Sequence, residues 1–577
     1  MVTPARRSRL VSALAALALA LSSATAAAQA DNIMLVILDD VGVDLIGAYG
    51  SNDPANTPVI DGLAANGIRF DNAWATPVCS PARAAMLTGR HGFRTGVGQG
   101  IGWFTSDFEL SVDEVSIPDL IASTHTSLAA GKWHMSARVI SDGFHPLLLG
   151  FEHHSGSLPN LGPLFGDGYV NYTKSVDGIP VPSTTYATTE TVDDALSLIA
   201  TTPEPWFAWV SFNAPHGPFH APPLALHTYT LPELTIPTVP IHGRAMLEAL
   251  DTELGRLLAS MDPAVLADTT IIVIGDNGTG IQVVTDPYEP MQAKETVYQG
   301  GVHVPLIVSG PGVVAGATSD ALVNVTDLHE TIVELAGHTS NAEDSFSIVP
   351  LLADPDLPSV RPRNYTEGFS PNGFGPFDWW NRTARDERYK LIQFHQNGSL
   401  VPYAEEFYDL ETDPLEQLDL FTLGPLTPEA AASLTILSNY TFNLLETWAT
   451  TPNGPFVDLG QSMVGSAGTP QLSGSGALTD GSPVTFTLED ALPGASMLLT
   501  LGLDMAPIAL KGGVLVPDLA PPGLAVSLGV GPTGTLVMPS TWPVGWPAGV
   551  HLFLQAWIID PAGPKNLVSS NALMAKP

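Results

Sequence analysis

Cysteine is almost missing from this chain: Cys79 is the single one in 577 residues. It has no partner for an intramolecular disulfide, so the fold must rest on its hydrophobic cores. Basic residues are scarce too, 22 Lys+Arg against 58 Asp+Glu. The resulting net charge of −36 excludes a nucleic-acid binder, which needs a basic face. It also disfavours an anionic substrate, unless the few cations gather in one place. Beyond the N-terminus no apolar run is long enough to cross a membrane, and the stretch "GVLVPDLAPPGLAVSLGVG" is broken by prolines. There is no Walker-type loop, no His-Glu-x-x-His and no Gly-x-Ser-x-Gly. The glycine-rich residues 96–102 follow a helix and a loop rather than a strand, which excludes a dinucleotide fingerprint.

What is present begins with a targeting segment. Residues 1–30 read as a signal peptide: Arg6, Arg7 and Arg9 precede an apolar run over 10–21, and Ala28-Gln29-Ala30 forms a cleavage site. The run is shorter than the ~20 residues of a membrane span, so the expectation is an exported protein, periplasmic or secreted, with no transmembrane anchor.

From residue 31 apolar strands alternate with amphipathic helices. "IMLVILDD" is a buried-strand run ending in Asp39 and Asp40, and "TPVIDGLAANGIRF" follows as a helix with Thr57 as cap and Pro58 at its first position. "WFAWVSF" is another strand, and "AMLEALDTELGRLLASM" is a helix with Met246, Leu247, Leu250, Leu254, Leu257 and Leu258 on one face. "TTIIVIGDNG" is a strand ending in Asp276 and Asn277. Such alternation implies a mostly parallel α/β sheet with helices on both faces, whose ligands bind beyond the carboxyl ends of the strands. Both acidic pairs fall there. The domains expected are a catalytic α/β domain over 31–355, a smaller α+β subdomain over 356–450, a Gly/Ser/Pro-rich linker over 451–475 and a β-sandwich over 476–577.

In "TPVCSPARAAMLTGR", Ser80 is an N-cap residue type and Pro81 suits the first helical position, so a helix opens directly after Cys79. The thiol then sits at a helix N-terminus, where unpaired N–H groups favour an anion, and Arg83 adds a fixed positive charge. Alone, Cys79 could equally be a buried structural residue. Asp39-Asp40 and Asp276-Asn277 could each be turn residues. Together they offer four hard oxygen ligands, which suit Ca²⁺ or Mg²⁺ rather than a soft metal.

This stretch resembles the sulfatase signature, Cys/Ser-x-Pro-x-Arg with a downstream Leu-Thr-Gly-Arg, and further blocks of that family recur in order between residue 31 and about residue 420. The resemblance implies an alkaline-phosphatase-like mixed sheet flanked by helices. It implies that Cys79 is oxidised to formylglycine (3-oxoalanine) by a formylglycine-generating or anaerobic sulfatase-maturating enzyme. It further implies that Asp39, Asp40, Asp276 and Asn277 bind Ca²⁺, with residue 79 completing the shell. By the same likeness "GKWHM" supplies Lys132 for the sulfate and His134 for the formylglycine hydroxyl. His216 in "FNAPHGPFH" and Lys294 in "QAKETVYQGGVHVPLIV" complete the set, with His216 protonating the departing alcohol. His220 is unmatched and is read as a rim residue. Gln299 and His303 depart from the family's usual glutamate and arginine, which puts the local support of Lys294 in question. Asn277-Gly278-Thr279 is a glycosylation triplet, but a glycan there would block the metal site.

The activity implied is hydrolysis of a sulfate ester of a small molecule or carbohydrate. Two rivals stay open: a phosphonate or phosphate ester hydrolase of the same superfamily, and a non-catalytic binding protein on a sulfatase scaffold. Substrate loops are expected over 158–178 and over 370–390. The latter carries Trp379, Trp380, Arg382 and Arg385, which could stack on a sugar or form subdomain core.

Overall fold

A computed structural model of the chain describes residues 32–162, 167–375, 377–398, 402–448, 456–458, 462–503, 505–510, 513–517, 519, 523–544 and 552–575. The signal peptide expected over 1–30 lies outside them. No helix among the described residues is long and apolar enough to cross a membrane. The chain forms two compact units, one from the residues up to His91 together with Gly100–Thr366, the other from Gly92–Gln99 and the residues from Glu367 onward.

The first unit is built on a ten-stranded sheet. Its strands are β1 (Asn32–Leu38), β2 (Ile68–Trp74), β3 (Thr126–Gly131), β4 (His153–Gly156), β5 (Tyr172–Val176), β6 (Ile179–Ser183), β7 (Trp206–Ser211), β8 (Thr269–Gly275), β9 (Leu306–Ser309) and β10 (Ala317–Asn324), in the order β10-β2-β9-β8-β1-β7-β3-β4-β5-β6. The centre, β8-β1-β7-β3-β4, is parallel. The sheet is more mixed than strand-helix alternation suggests: β9 runs antiparallel between β2 and β8, and β5 and β6 add an antiparallel edge. The edge hairpin follows from Asp177-Gly178, both at positive φ (49° and 88°), the two-residue turn that matches the twist of paired strands.

The central strands β1, β7 and β8 are buried on both faces. Met34, Val36 and Leu38 of β1 join a core with Met246, Leu247, Leu250, Leu254 and Leu257 of a long helix (Val239–Ser260), against which Leu258 packs partly buried. Ile33, Leu35 and Ile37 point the other way and are fully buried as well. The helix Pro58–Ala65 starts differently from the expectation. Thr57 makes no side-chain cap, and the carboxylate of Asp251 accepts from Val59 N (3.0 Å) and Ile60 N (2.8 Å) instead, tying the two helices together.

In the second unit β11 (Asn364–Ser370), β12 (Trp379–Arg385), β13 (Tyr389–Gln396) and β14 (Ala404–Asp409) form an antiparallel sheet covered by a helix (Pro428–Trp448). Phe93 N and Trp380 Nε1 both donate to the Glu367 carboxylate, at 2.7 and 2.6 Å, which draws residues 92–99 into this unit. Trp380, Arg382 and Arg385 are buried here, with the Arg382 guanidinium 4.9 Å from the Trp380 ring, so this stretch serves as core. Trp379 alone of the four is exposed.

The C-terminal domain is a β-sandwich of a five-stranded and a three-stranded antiparallel sheet closing on Phe456, Leu472, Leu488, Trp542 and Leu554. A further two-stranded ribbon belongs to it. Its strand Phe456–Asp458 lies inside the stretch read as linker and Gln471–Gly476 begins there, the first pairing with the last described strand (Leu567–Ala575).

Candidate active site

Four neighbouring parallel strands, β8, β1, β7 and β3, deliver most of the candidate residues from their carboxyl ends. Asp276 and Asn277 follow β8, Asp39 and Asp40 follow β1, His216 lies in the loop after β7, and Lys132 and His134 follow β3. Adjacent strands are ~4.8 Å apart, so their ends converge without long loops.

The exit from β3 depends on Gly131. Its φ is +91°, and a Cβ there would lie 1.9 Å from Ser211 O. Lys132 N then donates to Ser211 O (2.7 Å) and His134 N to Leu158 O (2.9 Å). Trp133, between them, turns into the core against Phe151 and Trp209, and its Nε1 donates to His145 Nδ1 (2.9 Å). Lys132 and His134 therefore reach the same site, through a turn in which His134 itself has a positive φ (61°).

Cys79 is the first residue of a helix, Cys79–Thr88, preceded by Val78 as N-cap. Ser80 is thus inside the helix rather than capping it, and its Oγ accepts from Ile101 N at 3.0 Å. The reason is local: Val78 is extended (φ −143°, ψ 150°), so the chain turns helical one residue earlier than the Ser-Pro pair suggests. Cys79 still lies in the first turn, 2% exposed, with Sγ 3.1 Å from His134 Nδ1.

Three carboxylates and three cations surround it. Arg83 donates to Asp276 Oδ2 from Nη2 (2.7 Å) and Nε (3.1 Å), to Lys132 O (3.1 Å) and to the Ser211 hydroxyl, and lies 3.7 Å from Asp39 Oδ1. Lys132 Nζ donates to Asp39 Oδ2 (2.5 Å) and Lys294 Nζ to Asp40 Oδ1 (2.6 Å). Asn277 Nδ2 also donates to Asp40 Oδ1 (2.9 Å), and Asp40 N to Asp276 Oδ1 (3.1 Å). The rare cations of an acidic chain are gathered at one buried place.

Two oxygens in this cluster, Asp39 Oδ1 and Asn277 Oδ1, are buried without a hydrogen-bond partner. Such orphans cost ~1–3 kcal/mol each, and a cation relieves them. Asp39, Asp276 and Cys79 each offer one ligand atom, all within 4.8 Å of one another. The oxygen-rich donor set fits a hard divalent cation.

Burial pushes the Asp39 carboxyl up to about 7 despite Lys132. Burial also pushes on Asp40, but Lys294, His216 and Lys132 outweigh it and hold that carboxyl below the usual range. His134 is driven well below its ordinary value by burial and by the charges of Lys132 and Arg83, so its ring is a neutral base. Burial lowers His216 to about 3. Its Nδ1 lies 2.7 Å from Gly217 O, which leaves Nε2 to exchange a proton.

Sequence reasoning overlooked several supports. Tyr169 OH contacts both Asn213 O (2.6 Å) and His216 O (2.8 Å) and so fixes the His216 loop. His220 is partly buried, its ring centroid 4.4 Å from that of Tyr169 and its Nε2 3.2 Å from Tyr186 OH. Ser211, under Arg83, was signalled only as a polar residue ending an apolar strand. Gln299 and His303 find their own partners, Trp74 Nε1 (2.9 Å) and Asp71 O (2.9 Å), while Lys294 is placed by its backbone bond to Thr279 O (3.1 Å).

Comparison with known proteins fits this geometry. A family model described as Sulfatase matches residues 31–338, and one described as N-sulphoglucosamine sulphohydrolase, C-terminal, matches residues 291–428. The chain is 30% identical over 383 residues to N-acetylgalactosamine-6-sulfatase of Sus scrofa, covering 60% of this chain and 70% of that protein. It is 27% identical over 479 residues to arylsulfatase A of Homo sapiens, covering 72% and 89%. The fold matches the crystal structure of Ps i-CgsB in complex with k-i-k-neocarrahexaose with a TM-score of 0.61 at 22% identity, over 74% of this chain and 94% of that one.

Proposed function

The chain belongs to the sulfatase family and is a sulfuric ester hydrolase, and from that premise we propose that it cleaves a sulfated carbohydrate through a formylglycine made from Cys79, with Ca²⁺ held by Asp39, Asp40, Asp276 and Asn277. The observation that carries this reading is the buried ring of Arg83, Lys132 and Lys294 around Cys79, together with the orphaned oxygens of Asp39 and Asn277. The name of the N-acetylgalactosamine-6-sulfatase relative supports a sulfated sugar as substrate. An expected signal peptide over 1–30 would export the enzyme, and the maturating enzyme would meet it as partner before or during export.

When bound, the cation stabilises negative charge on a sulfate oxygen and on the nucleophile. A hydrated formylglycine supplies one hydroxyl to attack sulfur and a second whose deprotonation releases the sulfate, which neither serine nor unmodified cysteine can do. Around it the chain's own side chains divide the work. Lys132, Lys294 and Arg83 face the sulfate region with fixed positive charge, in a site where burial strengthens each interaction. His134, neutral and 3.1 Å from the residue 79 side chain, accepts a hydroxyl proton. His216 exchanges a proton at Nε2, and the approach of an anionic ester favours its protonated form, which then donates to the departing alcohol. Such proton transfers are typically worth ~10²–10⁴-fold each.

Two measurements test the reading. Mass spectrometry of the peptide holding residue 79 should find the aldehyde, and the purified enzyme should hydrolyse an aryl sulfate with higher kcat/KM than the matching aryl phosphonate. A faster phosphonate reaction makes it a phosphonate hydrolase, and an intact thiol in an inactive natural-source protein makes it a binding protein.

A further inference from the structure

A cleft of about 830 Å³ opens onto His134, lined by Trp103, Phe104, Arg138, Asn160 and Lys174 among others. Its size is that of pockets which enclose small ligands. His134 is one of its lining residues and lies 3.1 Å from Cys79 Sγ, so a group seated at that end of the cleft lies next to residue 79. Phe104 is 72% exposed and meets Trp103 edge to face at 6.4 Å, making an apolar wall open to solvent. The Arg138 guanidinium stands 5.4 Å from the Phe104 ring centroid, and its backbone N donates to Trp103 O at 3.0 Å.

Charge makes Arg138 informative. In a chain so rich in acids, the other cation of this cleft is already taken: Lys174 Nζ lies 2.9 Å from Glu190 and 2.7 Å from Asp194. Arg138 is exposed and has no carboxylate partner among the described residues, although Asp142 lines the same cleft. An unclaimed guanidinium is a planar fork of donors that suits sulfate or carboxylate oxygens. Opposite in character, Asn160 Oδ1 is buried without a partner and can accept from a hydroxyl.

We propose that this cleft seats the leaving-group sugar of a polyanionic saccharide, with Arg138 binding a second acidic substituent besides the ester being cleaved. The sugar's apolar C–H face lies against Trp103 and Phe104, and a hydroxyl bonds to Asn160. The assignment deepens, and rests on, the sulfatase reading above.

The test is calorimetric titration of the full chain, in a Cys79→Ala background that stops turnover, with two probe pairs that differ by one sulfate. These are N-acetylgalactosamine 6-sulfate against its 4,6-disulfate, and glucosamine 6-sulfate against its N,6-disulfate. At least one disulfated probe should bind about tenfold tighter than its partner, the worth of one charge-assisted hydrogen bond. Arg138→Ala should bring that ratio to within about twofold, and Arg138→Lys should retain part of it. A preference that survives Arg138→Ala, or its absence from both pairs, overturns the assignment. Turnover of 4-nitrophenyl sulfate by the wild-type, formylglycine-bearing chain reports separately: its absence sinks the sulfatase reading and leaves the binding ratio to decide on Arg138.

Discussion

Replacing Arg83 by methionine removes a charge while keeping most of the side chain's length. In the native site the carboxyl groups of Asp39, Asp40 and Asp276 face Arg83, Lys132 and Lys294, three acidic groups against three cations, all buried or nearly so. Arg83→Met leaves three carboxylates facing two ammonium groups and strips Asp276 Oδ2 of both its donors. Breaking a buried ion pair from one side costs ~3–5 kcal/mol, which includes the lost bonds to Lys132 O and Ser211. At ~2 °C per kcal/mol for a large domain, the first unit should melt about 6–10 °C lower in EDTA by differential scanning calorimetry. Ca²⁺ should then stabilise the variant more than the wild type, because it supplies positive charge beside carboxylates that have lost theirs. At a hundredfold excess over its Kd, binding is worth about 2.7 kcal/mol. A variant melting within 2 °C of wild type in EDTA, or equal stabilisation of both proteins by Ca²⁺, would refute the charge-balance argument.

Three further outcomes are expected. Cys79→Ala should lower aryl sulfate turnover by at least about 10⁴-fold while shifting the melting temperature by no more than about 3 °C, since it deletes a single buried sulfur atom. Gly131→Ala should cost upwards of about 4 kcal/mol in denaturant melts, because its Cβ would meet Ser211 O in a left-handed backbone, and a loss below 1 kcal/mol would contradict the close approach. His154, buried beside Trp133, has its ring lowered by burial to about 4, below the ordinary 6.5 of an unfolded chain. Its contribution is whole above pH 6.5 and is lost as pH falls toward 4, about 2 kcal/mol by pH 5. His154→Leu should flatten that part of the stability profile between pH 7 and 5, and an unchanged slope would place the acid sensitivity elsewhere.

The strand ends were legible because a buried parallel strand is a continuous apolar run, and a run that stops in Asp-Asp or Asp-Asn advertises where the sheet ends. Lys132 and His134 were legible only through the likeness of "GKWHM" to the family block, since a Lys-x-His pair alone is common on surfaces. Less readable were features set by distant partners. Thr57 looks like a cap until Asp251, far along the chain, takes its place. His220 has no local signature, because what buries it are Tyr169 and Tyr186. The sandwich begins earlier than its composition suggests, since "QLSGSG" has a linker's residues and a strand's pairing. The β9 and β5-β6 reversals escaped for a similar reason: direction in a sheet is decided by connections, and strand residues alone do not encode it.

If Cys79 matures to formylglycine as proposed above, the solitary, buried thiol is also an internal gauge of that step. Conversion to the aldehyde would remove the chain's whole sulfhydryl content, so thiol reagents applied after denaturation would count unconverted molecules with no background from other cysteines. Before denaturation the same reagents should be largely blind to residue 79. The difference between the two titres, taken against protein concentration, separates three populations: matured, folded but unconverted, and unfolded. Preparations of unequal specific activity can thereby be put on one scale per competent site.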